Sequence, residues 1–191
     1  MEVEETVRKY TRNERYTYRD YVTWDDENRC ELIDGKVFLM SAPSVQHQRI
    51  VRKLLRQIDT FLDGKSCEVF FAPFDVCLNA KGDDDDTVVQ PDLLVVCNKS
   101  ILDAKRCNGT PDMVIEVISP STSRHDRIKK LNTYLRAGVR EYWIVDPEDK
   151  TVAAHTLENG KYVISAFDDT EIIPAAVLEG CHIKLTDVFA D

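Results

Sequence analysis

One acidic residue lies in the middle of each of two apolar runs that have the composition of buried strands. Glu116 lies within residues 113–118, and Asp92 is the single acid of residues 88–96. An ionised carboxylate in such surroundings is unfavourable unless a cation, a metal ion or hydrogen bonds compensate its charge. Consecutive strands are usually neighbours in a sheet, so we expect Asp92 and Glu116 to meet across the pair.

A pair of carboxylates of this kind supports a specific chemistry. Two carboxylate oxygens, together with a backbone carbonyl and water, suit octahedral Mg²⁺ or Mn²⁺. Such an ion lowers the pKa of a bound water and neutralises charge that builds on a phosphodiester oxygen, and a nearby ammonium group would help to position that water. In the alternative interpretation, both acids are buried and are satisfied by backbone amides or arginines.

Turn and cap residues before Asp92 predict a hairpin and a helix. Residues 31–40 predict a hairpin that turns at Asp34 and Gly35. Ser44 is the predicted N-cap of a helix over residues 45–63, because the apolar residues that follow it have helical spacing. Strands are then predicted near residues 67–78, 88–97 and 112–118.

A second helix and a second hairpin are predicted around and after the carboxylate pair. Residues 123–137 predict a helix that ends at Gly138, and residues 141–145 predict a strand. Residues 151–156 and 161–166 predict a hairpin. The order of helix, three strands, helix and strand is typical of one α/β domain with a mixed sheet.

The composition predicts a soluble globular protein. The chain has 191 residues, of which 43% are hydrophobic and 31% charged, and we expect residues 1–191 to form one domain. Within it, residues 1–15 are expected to be a loose arm and residues 150–191 a C-terminal hairpin extension. No apolar run reaches the ~20 residues of a membrane span, and the acidic N-terminus lacks a secretory signal. A cytoplasmic location without membrane contact is the expectation.

The charge is distributed unevenly. The net charge of −9 argues against loose, charge-driven binding to nucleic acid. The predicted helix over residues 123–137 nevertheless carries a local basic surface, formed by Arg124, Arg127, Lys129, Lys130 and Arg136. Residues 83–86 are four consecutive aspartates that lack the alternation of a calcium loop, so they predict a solvated turn.

The six cysteines are scattered and include no C-x-x-C pair. This spacing gives poor support to a thiolate metal site or a redox motif. Cys77 and Cys97 lie in strand-like runs, and we expect them to be small buried hydrophobic residues in a reducing compartment.

These residues resemble a known family. Pro91-Asp92, followed by Glu116 on the next strand, resembles the core of PD-(D/E)XK nucleases. The chain more closely resembles the Uma2 (DUF820) group of endonucleases, over roughly residues 16–150. The matching residues, in order, are Glu31 to Gly35, His47, Pro91 to Leu93, Glu116 to Thr122, Asp126, Lys130, Tyr134 and Gly138 to Pro147. The resemblance implies a restriction-endonuclease-like α/β fold, in which helices flank a mixed β-sheet in αβββαβ order with extra terminal hairpins, and Mg²⁺-dependent phosphodiester hydrolysis.

One position departs from the wider nuclease pattern. That pattern has a lysine two residues after the glutamate, where this chain has Ile118. In Uma2-like sequences, Lys130 on the following helix is the natural substitute. Lys130 lies roughly 160° around that helix from Ile128, so an apolar stripe of Ile128, Leu131 and Leu135 would turn Lys130 toward solvent. Tyr134 offers a second buried edge that would turn it inward.

The predicted site joins these residues. Asp92, Glu116 and the carbonyl of Ile118 are expected to hold Mg²⁺ or Mn²⁺, while Lys130 orients or activates the attacking water. Glu31, His47 and Tyr134 are expected to line the site. The alternatives are a surface ion pair of Lys130 with Asp126, a strand-edge salt bridge for Glu31, and a core or capping role for His47. Tyr142 and Trp143 are expected to be core or dimer-contact aromatics.

The predicted function is that of a metal-dependent endonuclease acting on DNA. A homodimer is expected, because two sites related by a two-fold axis are the simplest way to cut two strands. The residues do not separate DNA from RNA, since the metal chemistry acts on the phosphate. The alternative function is a non-catalytic binding module that has kept the nuclease fold.

Overall fold

Two mixed β-sheets form the framework of the computed structural model, which describes residues 14–24, 29–118 and 124–190, with only the backbone of residues 124–126. Most of the predicted N-terminal arm, the residues 119–123 before the second long helix and the side chain of Asp126 therefore lie outside the described residues. The helices are α1 (Tyr18–Tyr21), α2 (Val45–Leu62), α3 (Arg124–Ala137) and α4 (Leu185–Phe189).

The described residues form thirteen short or medium strands. They are β1 (Cys30–Ile33), β2 (Lys36–Leu39), β3 (Glu68–Phe71), β4 (Asp75–Cys77), β5 (Val88–Val89), β6 (Leu93–Val96), β7 (Arg106–Asn108), β8 (Met113–Val117), β9 (Glu141–Asp146), β10 (Thr151–Glu158), β11 (Lys161–Asp168), β12 (Ile172–Pro174) and β13 (His182–Lys184).

The strands assemble into two large sheets and one small sheet. The order is β11-β10-β9-β8-β6-β3 in the six-stranded sheet and β2-β1-β5-β4-β7 in the five-stranded sheet, while β12 pairs with β13. The pairs β8–β9 and β4–β7 are parallel and the other pairs are antiparallel. The prediction of a mixed sheet flanked by helices is confirmed.

Two runs predicted as continuous strands are each divided between the two sheets. The run over residues 67–78 gives β3 to the six-stranded sheet and β4 to the five-stranded sheet, and the run over residues 88–97 gives β6 and β5 in the same way. Pro73 and Pro91 lie at the two breaks. Proline has no N–H to donate to a strand ladder, which explains why the predicted continuous strands are wrong. The division places Asp92 at the crossing between the sheets.

The turns and the helix start that flank the first long helix follow the predictions. Asp34 and Gly35 both have positive φ, 53° and 73°, as a tight hairpin turn between β1 and β2 requires. The Ser44 side chain accepts a hydrogen bond from the backbone N–H of His47, at 3.1 Å, and begins α2. The predicted hairpin, cap and helix are confirmed. The buried stripe of α2 consists of Ile50, Leu54, Ile58 and Leu62.

The C-terminal part of the chain contributes to the main hydrophobic core. The predicted hairpin is present as β10 and β11, which extend the six-stranded sheet. Beyond it, β12, β13 and α4 pack in the same core cluster as α2, through Ile173, Ile183, Leu185 and Val188. The sequence did not predict these last three elements, because elements of three to five residues are too short for a periodic pattern. No helix in the described ranges has the length and apolar character needed to cross a membrane.

Two local predictions need correction. Cys77 is buried as predicted, but Cys97 forms a disulfide with Cys67. The register of β3 with β6 explains this pairing. Glu68 lies opposite Val96, so Cys67, just before Glu68, faces Cys97, just after Val96. The aspartate run 83–86 is not a fully solvated turn, since the side chain of Asp85 is completely buried.

Candidate active site

The two predicted carboxylates lie opposite each other on neighbouring strands. In the antiparallel pair of β6 with β8, Leu93 faces Ile115, and the same register places Asp92 opposite Glu116. The Oδ2 atom of Asp92 accepts a hydrogen bond from the backbone N–H of Val117, at 2.8 Å, which fixes the carboxylate against β8. The strand neighbours expected from the sequence are therefore the ones observed.

Helix α3 brings the Lys130 ammonium group into contact with two acids. Its Nζ lies 2.9 Å from Oε1 of Glu116 and 3.0 Å from Oε2 of Glu31. Tyr134, one turn later, is fully buried and donates its hydroxyl hydrogen to Oε1 of Glu116, at 2.7 Å. Ile128 is instead 50% exposed. The buried edge of α3 is thus the Tyr134 side, and of the two orientations that the sequence left open, the structure has the one that turns Lys130 inward.

Glu31 reaches the same place from the other sheet. Its strand, β1, lies between β2 and β5, so Glu31 is not at a sheet edge and the strand-edge interpretation is wrong. Its side chain is only 3% exposed, accepts a hydrogen bond from the backbone N–H of Gln90 at 2.9 Å, and pairs with Lys130. The site therefore lies at the junction of the two sheets.

His47 contacts the opposite side of Asp92. Its Nε2 atom lies 2.9 Å from Oδ1 of Asp92, and its backbone N–H is the group that Ser44 caps. The residue is part of the first turn of α2, so the helix start sets the position of the imidazole beside the carboxylate. The side chain is directed to the site rather than into the apolar core.

Burial and neighbouring charges set the protonation of the site. Burial raises the pKa of Glu116 to about 7; Lys130 opposes this shift, while Asp92 and Glu31 add to it. Burial alone would lower the pKa of Lys130, but Glu116 and Glu31 outweigh it and hold that pKa above its usual range. Burial, with Glu116 and Glu31, raises the pKa of Tyr134 well above its usual value, so the phenol stays protonated and remains a hydrogen-bond donor.

Six of the predicted site residues line one cavity of about 270 Å³, whereas Tyr134 is fully buried and does not line it. It contains Glu31, His47, Asp92, Glu116, Ile118 and Lys130. Arg29 and Arg127 also line it, although they were not predicted as site residues. Both had a signal in the sequence. Arg29 is two residues before Glu31, a spacing that puts two side chains on one side of an extended segment, and Arg127 is three residues before Lys130 on the same helix side.

The cavity offers carboxylate and carbonyl oxygens, the donor type that hard divalent cations prefer. Glu31, Asp92 and Glu116 are three acids around one ammonium group, that of Lys130, and burial penalises the charge of Glu116. Over the described residues, no three His, Cys, Asp or Glu side chains are arranged as ligands of one metal ion. An ion would therefore rely on Asp92, Glu116, the Ile118 carbonyl and water. This set fits Mg²⁺, which usually binds one or two carboxylates and keeps several waters.

Comparison with known proteins places the chain in a family. The Uma2 family, described as "Putative restriction endonuclease", matches residues 18–186. The chain belongs to the Uma2 family. The resemblance inferred from the ordered motifs is thereby confirmed.

Two similar proteins extend the comparison of this Uma2 chain. A crystal structure of "a putative nuclease belonging to DUF820" from Anabaena variabilis ATCC 29413 is 20% identical, with a TM-score of 0.73, and the match covers 91% of this chain and 97% of that chain. This similarity confirms the predicted nuclease-like α/β fold. An uncharacterized protein of Synechocystis sp., slr1290, is 29% identical over 118 residues. That match covers 60% of this chain, and the chain spans about 60% of the length of that relative.

Proposed function

We propose that this Uma2 protein is a metal-dependent endonuclease that hydrolyses phosphodiester bonds in DNA, with Mg²⁺ or Mn²⁺ as its cofactor. The observation that carries the proposal is the position of Lys130, whose ammonium group lies between Glu31 and Glu116 in the cavity that also holds Asp92. A helix-borne lysine thus occupies the space beside the carboxylates, although the strand position two residues after Glu116 is Ile118.

In this proposal, Asp92, Glu116 and the Ile118 carbonyl hold the cation. When bound, the ion supplies Lewis-acid polarisation of the phosphate and a lowered pKa for its water. Hydrogen bonds within the chain fix the positions of both carboxylates. The backbone of Val117 and the ring of His47 fix Asp92, and the hydroxyl of Tyr134 fixes Glu116.

The side chains around the carboxylates have their own roles in hydrolysis. The Lys130 ammonium orients the attacking water and stabilises negative charge on the non-bridging phosphate oxygens. With a pKa of about 7 in the metal-free protein, Glu116 gives up its proton when the cation binds. A bond forms between the water oxygen and phosphorus as that water gives up a proton to solvent. The bond from phosphorus to the leaving sugar oxygen breaks, and the leaving oxygen takes up a proton from solvent. His47 and Glu31 line the site and hold Asp92 and Lys130 in place.

DNA cleavage by the wild type and by Asp92→Asn tests the proposal. Nicking of supercoiled plasmid with Mg²⁺ or Mn²⁺ should fall by about 10²–10³-fold in the variant, because it loses one of the two carboxylates that hold the cation and with it electrostatic stabilisation of the transition state. Asp83→Asn is the matched control, since Asp83 lies outside the cavity and should retain activity. Circular dichroism should show both variants folded. A fully active Asp92→Asn enzyme would contradict the proposal, and matched RNA and DNA oligonucleotides decide the substrate.

The alternative is a binding module without hydrolysis, which the net charge of −9 and the absence of the strand lysine favour. Calorimetric titration separates the two functions. A nuclease should bind Mn²⁺ in wild type and lose that binding in Glu116→Gln, whereas a binding module need not bind the ion. The two-fold dimer stays a prediction, and light scattering of the purified protein tests it.

A further inference from the structure

A second, open groove lies beside the cavity on the other side of Lys129. It has a volume of about 690 Å³, and we call it the basic groove. Its lining consists of Arg15, Asp34, Lys36, Asp86, Ile128, Lys129, Asn132 and Arg136. Lys129 also lines the cavity that contains Asp92 and Glu116, so one side chain is common to both. Its Nζ lies 3.5 Å from the centroid of the Phe38 ring, another residue of the cavity wall.

The groove is locally basic on an acidic protein. Four cations and two acids line it. Both acids already have partners, because Asp34 pairs with Arg136 through both carboxylate oxygens, at 2.9 Å and 3.0 Å, and Asp86 accepts a hydrogen bond from Asn79 at 3.1 Å. Among the described residues, in contrast, the charged groups of Arg15 and Lys36 have neither an ion pair nor a hydrogen bond. The two acids are compensated while these two cations remain available to an anion.

The arrangement of these charges fits an extended polyanion better than a single small anion. The cations come from three parts of the chain, the segment before α1, β2 and α3, and line an open groove of about 690 Å³. Arg15 and Lys36 are exposed to solvent. Cations spaced in this way match the repeated phosphates of a nucleic-acid backbone, whose contacts position the strand without reading its sequence. The chain has a net charge of −9, so most of its surface would repel nucleic acid. A local basic groove would then guide the strand toward the cavity.

We infer that the basic groove binds the phosphates of the substrate strand on one side of the bond that is cut, with Lys129 between the groove and the cavity. This inference rests on the proposed nuclease function and names the substrate class. The substrate is a polynucleotide that extends several nucleotides beyond the bond that is cut. It also assigns the basic residues of α3 to two tasks. Lys130 and Arg127 serve the cavity, while Arg136 serves the groove.

Charge reversal in the groove tests this inference. The double variant Arg15→Glu/Lys36→Glu changes the two uncompensated cations, and Lys161→Glu/Lys184→Glu is the matched control, with the same change of net charge on residues that line neither the groove nor the cavity. Both pairs are placed in an Asp92→Asn background. Fluorescence anisotropy then measures the binding of a dinucleotide and of a long DNA oligonucleotide at several salt concentrations.

The groove variant should bind the long oligonucleotide roughly tenfold or more weakly than the control does. The slope of its affinity against salt should be smaller by about 1.4 for single-stranded DNA, or about 1.8 for a duplex, because two phosphate contacts are lost. Dinucleotide binding should be the same in both variants. Equal binding of the long oligonucleotide by the groove variant and the control would overturn the inference.

A small substrate separates this inference from the proposed function. With Asp92 intact, hydrolysis of bis(p-nitrophenyl) phosphate needs only the cavity, so the wild type, the groove variant and the control should hydrolyse it at equal rates. If all three hydrolyse it but long oligonucleotides do not distinguish the variants, the groove is overturned and the nuclease function stands. If the wild type hydrolyses neither this diester nor DNA, both proposals are overturned.

Discussion

The molecule contains two groups of acidic residues that differ in how their charges are compensated. The acidic loop, residues Asp83 to Asp86, has many local partners: Asp83 pairs with Arg106 at 2.9 Å, and Asp84 pairs with Arg19 at 3.1 Å. Asp85 is completely buried and accepts backbone N–H groups from Asn79 and Thr87 at 2.9 Å and from Lys81 at 3.3 Å.

Fewer cationic side chains pair with the cavity acids Glu31, Asp92 and Glu116 than with the acidic loop. Glu31 and Glu116 share the one ammonium group of Lys130, and the partner of Asp92 is the ring of His47. Burial consequently raises the pKa of Glu116 to about 7. The comparison teaches that a high local number of acids does not identify a cation site. Incomplete compensation of buried acids is the feature on which the proposed cation site rests, and the acidic loop lacks it.

Removing the shared cation should have the largest effect on stability. In Lys130→Met, Glu31 and Glu116 would remain buried without their ammonium partner, and we expect a loss of about 3–5 kcal/mol in the free energy of unfolding at pH 8 without divalent cations. Urea unfolding measures it. Added Mg²⁺ should restore more stability to this variant than to the wild type, because the ion replaces a lost positive charge. Unchanged stability would show that the cavity acids do not depend on Lys130.

Removing the buried acid of the loop should destabilise the fold and leave the chemistry intact. In Asp85→Ala, the buried backbone N–H of Thr87 and the partly buried N–H groups of Asn79 and Lys81 lose their acceptor. An unsatisfied buried donor costs about 1–3 kcal/mol, and a partly buried one that water can reach costs less. We expect a loss of about 3 kcal/mol in urea unfolding. DNA cleavage per folded molecule should stay within about twofold of wild type. Activity that falls in parallel with Asp92→Asn would remove the distinction between the two acid groups.

Cation binding at the cavity acids should release a proton below neutral pH. Glu116 has a pKa of about 7, so at pH 6 an incoming Mn²⁺ must displace its proton and at pH 8 it need not. The affinity should fall about tenfold per pH unit below pH 7 and level off above it. Calorimetry in two buffers with different protonation enthalpies measures the released proton. An affinity that is constant from pH 6 to pH 8 would contradict this prediction.

The same pKa predicts the direction of the stability change in the metal-free protein. The folded state raises the pKa of Glu116 from 4.5 to about 7, so it binds that proton more tightly than the unfolded state does. The corresponding stabilisation is fully present below pH 4.5 and is lost as the pH rises through about 7. Glu116→Gln should lack this part of the pH dependence, which makes it the matched control in thermal unfolding.

The smallest effect is expected at the exposed end of the acidic loop. Arg19 and Asp84 form an ion pair in which the side chains are 67% and 76% exposed. Solvent screens such a pair, so Asp84→Asn should change the free energy of unfolding by less than about 1 kcal/mol. Urea unfolding beside Asp85→Ala is the direct comparison, since the two aspartates are adjacent. A larger loss for Asp84→Asn would mean that the loop is stabilised mainly by its outer ion pairs.

Sequence reasoning reached the features that depend on local signals. Asp34-Gly35 predicted a hairpin turn, Ser44 predicted a helix start, and both are present because backbone conformation at these positions depends on neighbouring residues. The meeting of Asp92 with Glu116 also followed from the sequence. Asp92 directly precedes β6 and Glu116 lies on β8, the next strand of the six-stranded sheet along the chain, and consecutive strands usually pair.

Features that depend on distant packing were not predictable. The direction of Lys130 depends on which edge of α3 is buried, and the sequence offered both the Ile128 edge and the Tyr134 edge. In the structure the Tyr134 edge is buried, because the Tyr134 hydroxyl donates a hydrogen bond to Glu116, and Ile128 is half exposed. The disulfide between Cys67 and Cys97 likewise requires the register of β3 with β6, which no residue near either cysteine determines.

The junction between the two sheets has a consequence for how the protein is made. Glu31 and Lys130 are 99 residues apart in the chain, yet their side chains must touch for the site to exist. Contacts between such distant residues form only after long loops have closed, which places them late in folding. A partly synthesised chain that ends before α3 has the acids but no ammonium group from Lys130. Under the proposed nuclease function, the emerging polypeptide therefore completes its cleavage site only once α3 has folded against both sheets.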